Sequence, residues 1–285
     1  MSSTATPSEP GGAGAPAPVR KGRAVIDLVV RETRWLTPHM IRVTAGGDGF
    51  ARFNDNGYTD AYVKVLFPQP GVTYPEPFDM QAIRAEMPRE QWPRTRTYTV
   101  REINPVAREL SIDFVYHGDE GLAGPWAAGA KPGDPLRLMG PGGAYAPGPD
   151  ADWHLFVGDE AALPAIAASL AKVPDGAPVR ALIEVASPEE ELELPTPGDA
   201  RITWLHRSNG SSRLAEALRA MEFPSGRVQA FVHGEADTVK AMRRHLLDER
   251  GVVRDDLSVS GYWRRGRDED GFQADKAAER ESGAA

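Results

Sequence analysis

The segment Gly140 to Asp152, GPGGAYAPGPDAD, splits the chain into two halves with different rhythms. A stretch so dense in glycine and proline sustains neither a helix interior nor a central strand. The residues on either side therefore close around separate cores, and 285 residues suffice for two domains of ordinary size. Upstream, Ala24–Val30, Met40–Ala45, Ala61–Phe67, Thr97–Arg101 and Glu109–Tyr116 are short, rich in β-branched or aromatic residues, and bounded by Gly, Pro and Asn. In the last of these, Leu110, Ile112, Phe114 and Tyr116 alternate with Ser111 and Asp113. Many short strands with turn signals predict an antiparallel barrel or sandwich. Pro68 to Pro93 reads as a long loop or a partly helical insertion.

Downstream, strand-like and helical segments alternate. Trp153–Val157, Val179–Val185, Arg201–Leu205, Val228–Val232 and Asp256–Ser260 are strand-like, while Leu163–Lys172, Ser211–Met221 and Ala236–Arg250 are helical. Ser212 suits a helix start and Gly251 a helix C-cap. Such alternation predicts an α/β domain with a parallel sheet covered on both faces. The expected organisation is a disordered tail at 1–19, a β domain at 20–148, an α/β domain at 149–270 and a charged, mobile tail at 271–285.

Composition narrows the chemistry. With no cysteine, structural disulfides, thiolate catalysis and cysteine-ligated clusters are excluded. A net charge of −8 argues against general nucleic-acid binding. No apolar run is long enough to cross a bilayer and no signal core begins the chain, so a cytoplasmic protein is expected, without stable membrane insertion and as a monomer. The histidines show no metal-ligand spacing, so no protein-bound metal is expected. His233 could carry a proton or serve as a ligand, although a lone strand-end histidine is more often structural.

Two motifs carry candidate chemistry. In a strand, Arg96 and Tyr98 share one face and Thr97 and Thr99 the other. Together they offer a cation for a pyrophosphate, a flat aromatic partner and a hydroxyl, the set a flavin dinucleotide requires. Tyr116-His117-Gly118-Asp119-Glu120-Gly121-Leu122-Ala123-Gly124-Pro125-Trp126 then runs from a strand end through a Gly-rich turn into a short helix, where backbone amides can approach an anion. In the second half, ligands of a parallel sheet lie beyond the carboxyl ends of its strands. That places Gly158-Asp159-Glu160, Ser187, His206 and His233-Gly234-Glu235 at a crevice.

The words LTPHMIRVT (Leu36–Thr44), RTYTVRE (Arg96–Glu102), DFVYHGDEG (Asp113–Gly121), the Pro125-Trp126 to KPGD stretch, GPGGAY (Gly140–Tyr145), GDEAALPAI (Gly158–Ile166) and SGYWRRG (Ser260–Gly266) occur in this order. Jointly they resemble the siderophore-interacting proteins of the ferredoxin reductase-like superfamily. The resemblance implies an FAD-binding β-barrel, an α/β nucleotide-binding-like domain and FAD-dependent reduction of a ferric siderophore in iron assimilation, with NADH or ferredoxin as electron donor. It implies non-covalent FAD contacts from Arg96, Thr97, Tyr98, Thr99, Asp113, Phe114, Val115, His117, Gly121, Ala123, Gly124, Pro125, Trp126, Tyr145, Asp159, Glu160 and Ala162. No side chain is assigned a catalytic role, since electrons pass through the flavin.

Two departures from the wider superfamily stand out. Gly158-Asp159-Glu160-Ala161 replaces a glycine-rich turn, and acidic residues are poor neighbours for a pyrophosphate. His233-Gly234-Glu235 replaces a Cys-Gly pair. A ferric catecholate is anionic, so its site calls for cations beside an aromatic wall. Trp263, Arg264 and Arg265 supply both, with Lys64 and Lys240 as weaker candidates, although Asp268-Glu269-Asp270 could simply neutralise the arginines. Glu189-Glu190-Glu191, after the second α/β strand, would repel a 2′-phosphate and so favour NADH, unless they form an ordinary acidic helix start. The alternatives are a siderophore-binding carrier with a non-catalytic flavin fold and a general NAD(P)H:flavin oxidoreductase.

Overall fold

The computed structural model describes residues 24–207 and 211–281, so the tail expected at 1–19 lies outside the described residues. Its first half is a closed antiparallel barrel of β1 (Val25–Thr37), β2 (Met40–Gly46), β3 (Tyr62–Phe67), β4 (Arg94–Asn104), β5 (Glu109–Val115) and β6 (Pro135–Gly142), in the order β1-β2-β5-β4-β3-β6. Alternating residues fill the interior: Ile26, Leu28 and Val30 from β1, Val63 and Val65 from β3, Ile112 and Phe114 from β5. Helix α1 (Met80–Glu86) forms within the proline-rich insertion, its first turn capped by Asp79, whose carboxylate accepts the Gln81 N–H at 2.8 Å. Helix α2 (Ala123–Gly129) plugs one end, with Ala123 and Ala127 in the barrel core and Trp126 against Phe67 and Phe114.

Strand β6 is absent from the sequence expectation. It starts with proline and ends in Gly-Pro-Gly, so its composition resembles the linker that follows. Its status is set by partners: β1 on one side and β3 on the other, with Leu136 and Leu138 buried between them. Closure leaves no sheet edge exposed along this side. Beyond it, Asp60 holds the linker by accepting the Ala144 and Tyr145 N–H groups at 2.8 and 2.9 Å.

The second half is a parallel sheet of β7 (Trp153–Asp159), β8 (Pro178–Val185), β9 (Asp199–His206), β10 (Val228–Glu235) and β11 (Leu257–Trp263), ordered β11-β10-β7-β8-β9. Every residue of β7 is buried, as expected of a central parallel strand. Helix α3 (Leu163–Leu170) covers one face, while α4 (Leu214–Ala220) and α5 (Ala236–Arg244) cover the other. A π-helical turn, His245–Glu249, extends α5, and Gly251 follows with φ of 68°, as its C-cap role anticipates.

Within the segment expected to be a mobile charged tail, the described residues 271–281 are helical. Glu269–Glu281 form helix α6. Asp268 accepts the Gly271 N–H at 2.9 Å, and Phe272, 2 % exposed, packs where Gly261 and Ala236 leave room for its ring. A buried aromatic helps to fix the segment, a signal that its charge-dominated composition hides.

The halves are joined by specific polar contacts. The Ser169 hydroxyl donates to Thr59 Oγ1 at 2.7 Å, and the buried Glu190 carboxylate accepts from the Thr37 hydroxyl and the His39 N–H. Because β6 closes the barrel, Leu138→Ala is expected to lower stability by about 2–5 kcal/mol in urea unfolding. Val106→Ala, on the exposed β4–β5 turn, should change it by no more than about 0.5 kcal/mol. Equal effects would contradict the closure.

Candidate functional site

Strand β4 creates the opening on which the site is built. It pairs with β3 from Arg94 to Thr99, but with β5 only from Val100 onward. The Arg94–Thr99 edge away from β3 is therefore not covered by β5. On it the Arg96 guanidinium, largely buried, donates to its neighbour Thr95 O and to both carboxylate oxygens of Asp270, each at 3.3 Å. The Thr97 N–H donates to Glu269 Oε1 at 3.0 Å. Tyr98 rests on Phe114 with ring centroids 4.4 Å apart. Thr99 is buried, and its side chain meets the hydroxyl of Tyr262 from β11. A cation, an aromatic ring, a hydroxyl and a backbone donor thus share one open edge. This donor set fits a flavin dinucleotide, with the first turn of α6 as an acidic neighbour.

The neighbouring motif divides. Asp113 is locked in a bidentate ion pair with Arg42 at 2.6 and 2.8 Å, and Phe114 is fully buried in the barrel core. Their side chains are committed to the barrel, and Val115 is half-buried against the neighbouring core. His117 and Gly121 are exposed on the turn. Gly118 and Gly121 have φ of 71° and 85°, and a Cβ on either would meet nothing within 4 Å. Ala123 and Gly124 are buried and Pro125 half-buried in α2, where a Cβ on Gly124 would approach Val115 O to 3.1 Å. Tyr145 is buried between Phe156 and Phe231.

At the carboxyl ends of the sheet, Asp159 is a junction. It is 2 % exposed and accepts the Trp263 Nε1–H at 2.8 Å and the Glu235 N–H at 2.9 Å, tying β7 to β10 and β11. Burial pushes its carboxyl up to about 7, with Glu160 adding to the rise and Trp263 and Arg207 opposing it. Glu160 does not stand alone. Arg207, just past β9, donates to it at 2.7 Å and to Glu184 at 3.0 Å. Sequence reasoning missed Arg207, because only the sheet order brings the ends of β7, β8 and β9 side by side. Ala162 is buried against Gly158, where a Cβ would stand 2.6 Å from its methyl. His233 stacks on Phe231 at 3.7 Å and shares a 2.9 Å hydrogen bond with Ser258. Burial pushes its pKa down to about 3, so it stays neutral.

The acidic triple is dispersed. Glu190 turns into the domain interface toward Thr37 and His39, Glu191 pairs with His206 at 2.8 Å, and Glu189 remains exposed. Of the basic segment, Trp263 is held by Asp159, and Arg264 lies near Asp275 and Asp237 at 3.5 and 3.9 Å. Arg265 is exposed beside a small pocket of about 10 Å³, which is also lined by Asp159, Arg207, His233 and Trp263. A larger cleft of about 140 Å³ lies between His39 and His117 of the barrel and Glu160, Glu190 and Arg207 beyond the sheet's strand ends. Lys64, exposed on β3, is in register with Thr97, whereas Lys240 is exposed on α5.

Residues 29–145 match the siderophore-interacting FAD-binding domain, and residues 151–266 match the siderophore-interacting protein model. The chain belongs to the siderophore-interacting protein family. Ferric vibriobactin reductase ViuB of Vibrio cholerae is 33% identical over 247 residues, covering 85% of this chain and 90% of that protein. The NADPH-dependent ferric-chelate reductase of Escherichia coli is 29% identical over 253 residues, covering 87% and 96%. The crystal structure of a siderophore utilization protein from T. fusca is 41% identical and superimposes with a TM-score of 0.73, covering 86% of this chain and 94% of that one. None of the helices among the described residues is long and apolar enough to cross a membrane.

The raised Asp159 pKa has a stability consequence. In the unfolded chain an aspartate titrates near 3.9. Between that value and about 7 the folded state holds a proton that the unfolded state has released, so this group's contribution to stability falls as pH rises. Asp159→Asn does not titrate. From pH 5 to pH 8 its stability relative to the parent protein should therefore rise by about 2–4 kcal/mol. Urea midpoints at both pH values check this, and a constant difference would mean that the carboxyl stays ionised.

Proposed function

We propose that the protein uses FAD to reduce ferric siderophores, so that iron leaves the chelate as the ferrous ion. The observation that carries this reading is the meeting of Thr99 with Tyr262, which supports setting the proposed flavin edge of β4 beside the strand that ends at Trp263, just before Arg264 and Arg265. The family match and the ferric reductases among its relatives support the same conclusion.

The chemistry follows from coordination preferences. Hard oxygen donors bind ferric iron tightly and ferrous iron far less well, so one electron suffices to loosen the chelate. When bound, FAD supplies the conversion between two-electron input and one-electron output. The chain's own residues hold and orient. Arg96 would neutralise pyrophosphate charge, Tyr98 would offer its ring, and Thr99 would place a hydroxyl at the flavin edge. Trp263 would form an aromatic wall fixed by Asp159, and Arg265 would attract the anionic chelate. Iron here is substrate, released rather than retained.

For the donor we infer NADH. With Glu190 and Glu191 engaged elsewhere, the argument from the acidic triple narrows to Glu189. A second argument supports it: Arg207 is held by Glu160 and Glu184, with Asp159 nearby, so a 2′-phosphate would meet a surplus of carboxylates.

Anaerobic titration of the FAD-loaded protein with NADH and NADPH, followed by a ferric catecholate, tests the function. Faster reduction by NADH and reoxidation by the chelate faster than by oxygen are expected. A protein that holds no flavin would favour the carrier reading, and one reoxidised by oxygen alone would favour a general flavin oxidoreductase. Arg265→Ala should raise KM for the anionic chelate about 5- to 20-fold, the scale of losing one charge-assisted contact, while FAD content and reduction by the donor stay unchanged. An unaltered KM would move the substrate site elsewhere.

A further inference from the structure

The first turn of α6 lies across the motif that names the flavin site. Asp270 presents its two oxygens to NH1 and NH2 of Arg96, the forked geometry in which a guanidinium binds a carboxylate or a phosphate alike. It also accepts from Arg94 at 3.1 Å, and Glu269 lies 3.7 Å from Arg96 while accepting the Thr97 N–H. Two carboxylates therefore occupy the cation and the backbone donor that a pyrophosphate would use. Both come from one helical turn.

The attachment of α6 is uneven. Its middle is fixed to the α/β domain: Phe272 is buried, Lys276 donates to Gly261 O at 3.1 Å, and Asp275 pairs with Arg267 at 3.1 Å. Although Arg96 and Glu269 are more enclosed at 11% and 22%, its contacts with the barrel are open to water on the Asp270 side, where the Asp270 and Arg94 side chains are 57% and 42% exposed. Exposed ion pairs of this kind contribute little and exchange readily. The anchored part can thus stay in place while the first turn yields.

We propose that Glu269 and Asp270 act as a resident competitor for the FAD pyrophosphate, so that α6 sets the affinity for the cofactor. The proposal rests on the reading of Arg96 as the cation for that pyrophosphate. Without the acids, Arg94 and Arg96 would face the cofactor unopposed. With them, local charge is balanced and each phosphate must displace a carboxylate.

The test is a titration of flavin-free, full-length protein with FAD, followed by fluorescence quenching, for the parent protein, Glu269→Gln/Asp270→Asn and Arg96→Ala. The double variant should bind FAD about three- to tenfold more tightly, the scale of releasing the half-exposed Asp270 pairs together with the Glu269 contact. Its affinity should also fall more steeply with added salt, because the two unopposed cations are screened while the parent's balanced cluster is not. Arg96→Ala should bind FAD more weakly. Circular dichroism confirms that the near-isosteric variants are folded. If Arg96→Ala weakens binding but the double variant binds equally or more weakly, with the parent's salt dependence, the acids support Arg96 rather than compete for it and the proposal fails alone. If Arg96→Ala binds FAD normally, the site assignment and the competitor fall together.

Discussion

Everything distinctive about the molecule follows from the incomplete pairing of β4. A barrel strand normally has both edges hydrogen-bonded, but here β5 joins β4 only from Val100. The preceding residues, Arg94 to Thr99, keep one edge open, and an open edge with unmet donors demands an occupant. Tyr262 and the first turn of α6 supply protein groups to it. The second domain is thus laid against the barrel where the barrel's own hydrogen bonding stops. The residues proposed to hold the cofactor and those that pack the domains share the same backbone.

Local signals made much of this legible. The Gly/Pro-rich segment at the end of β6 separated the two rhythms, and β-branched runs gave five of the barrel strands, although β1 continues to Thr37, past the expected end at Val30. The Arg-x-Tyr-Thr pattern marked the open edge because alternation on a strand needs no tertiary information. What escaped was long-range. Strand β6 exists because β1 and β3 flank it, and α6 because Phe272 finds a buried site beside Gly261. Proline, glycine and charge obscured both.

Charge was the least readable property for the same reason. Glu160 looks like an unfavourable residue in a nucleotide-binding turn until Arg207 arrives from β9, nearly fifty residues later in the chain. Glu189, Glu190 and Glu191 are contiguous in sequence, yet Glu190 and Glu191 are turned toward histidines in different directions. Asp113 reads as part of a cofactor motif, and its side chain is a buried counter-ion to Arg42. A run of like charges defines composition but not where a field acts, because each side chain answers to whichever strand end the topology brings near.

Gly261 gives the arrangement an evolutionary handle. A Cβ there would stand 2.8 Å from the Ala236 methyl and 3.4 Å from the Phe272 ring, so α5 and α6 approach β11 as closely as they do because position 261 has no side chain. A lineage that exchanged this glycine for a larger residue would have to give up the close approach of its last helix. The acids beside Arg96 and Thr97, tethered through that helix, would drift with it. One small residue on the edge strand of the sheet thereby governs whether the distant barrel motif is covered, and a loss there could be repaired only by changes on both helices at once.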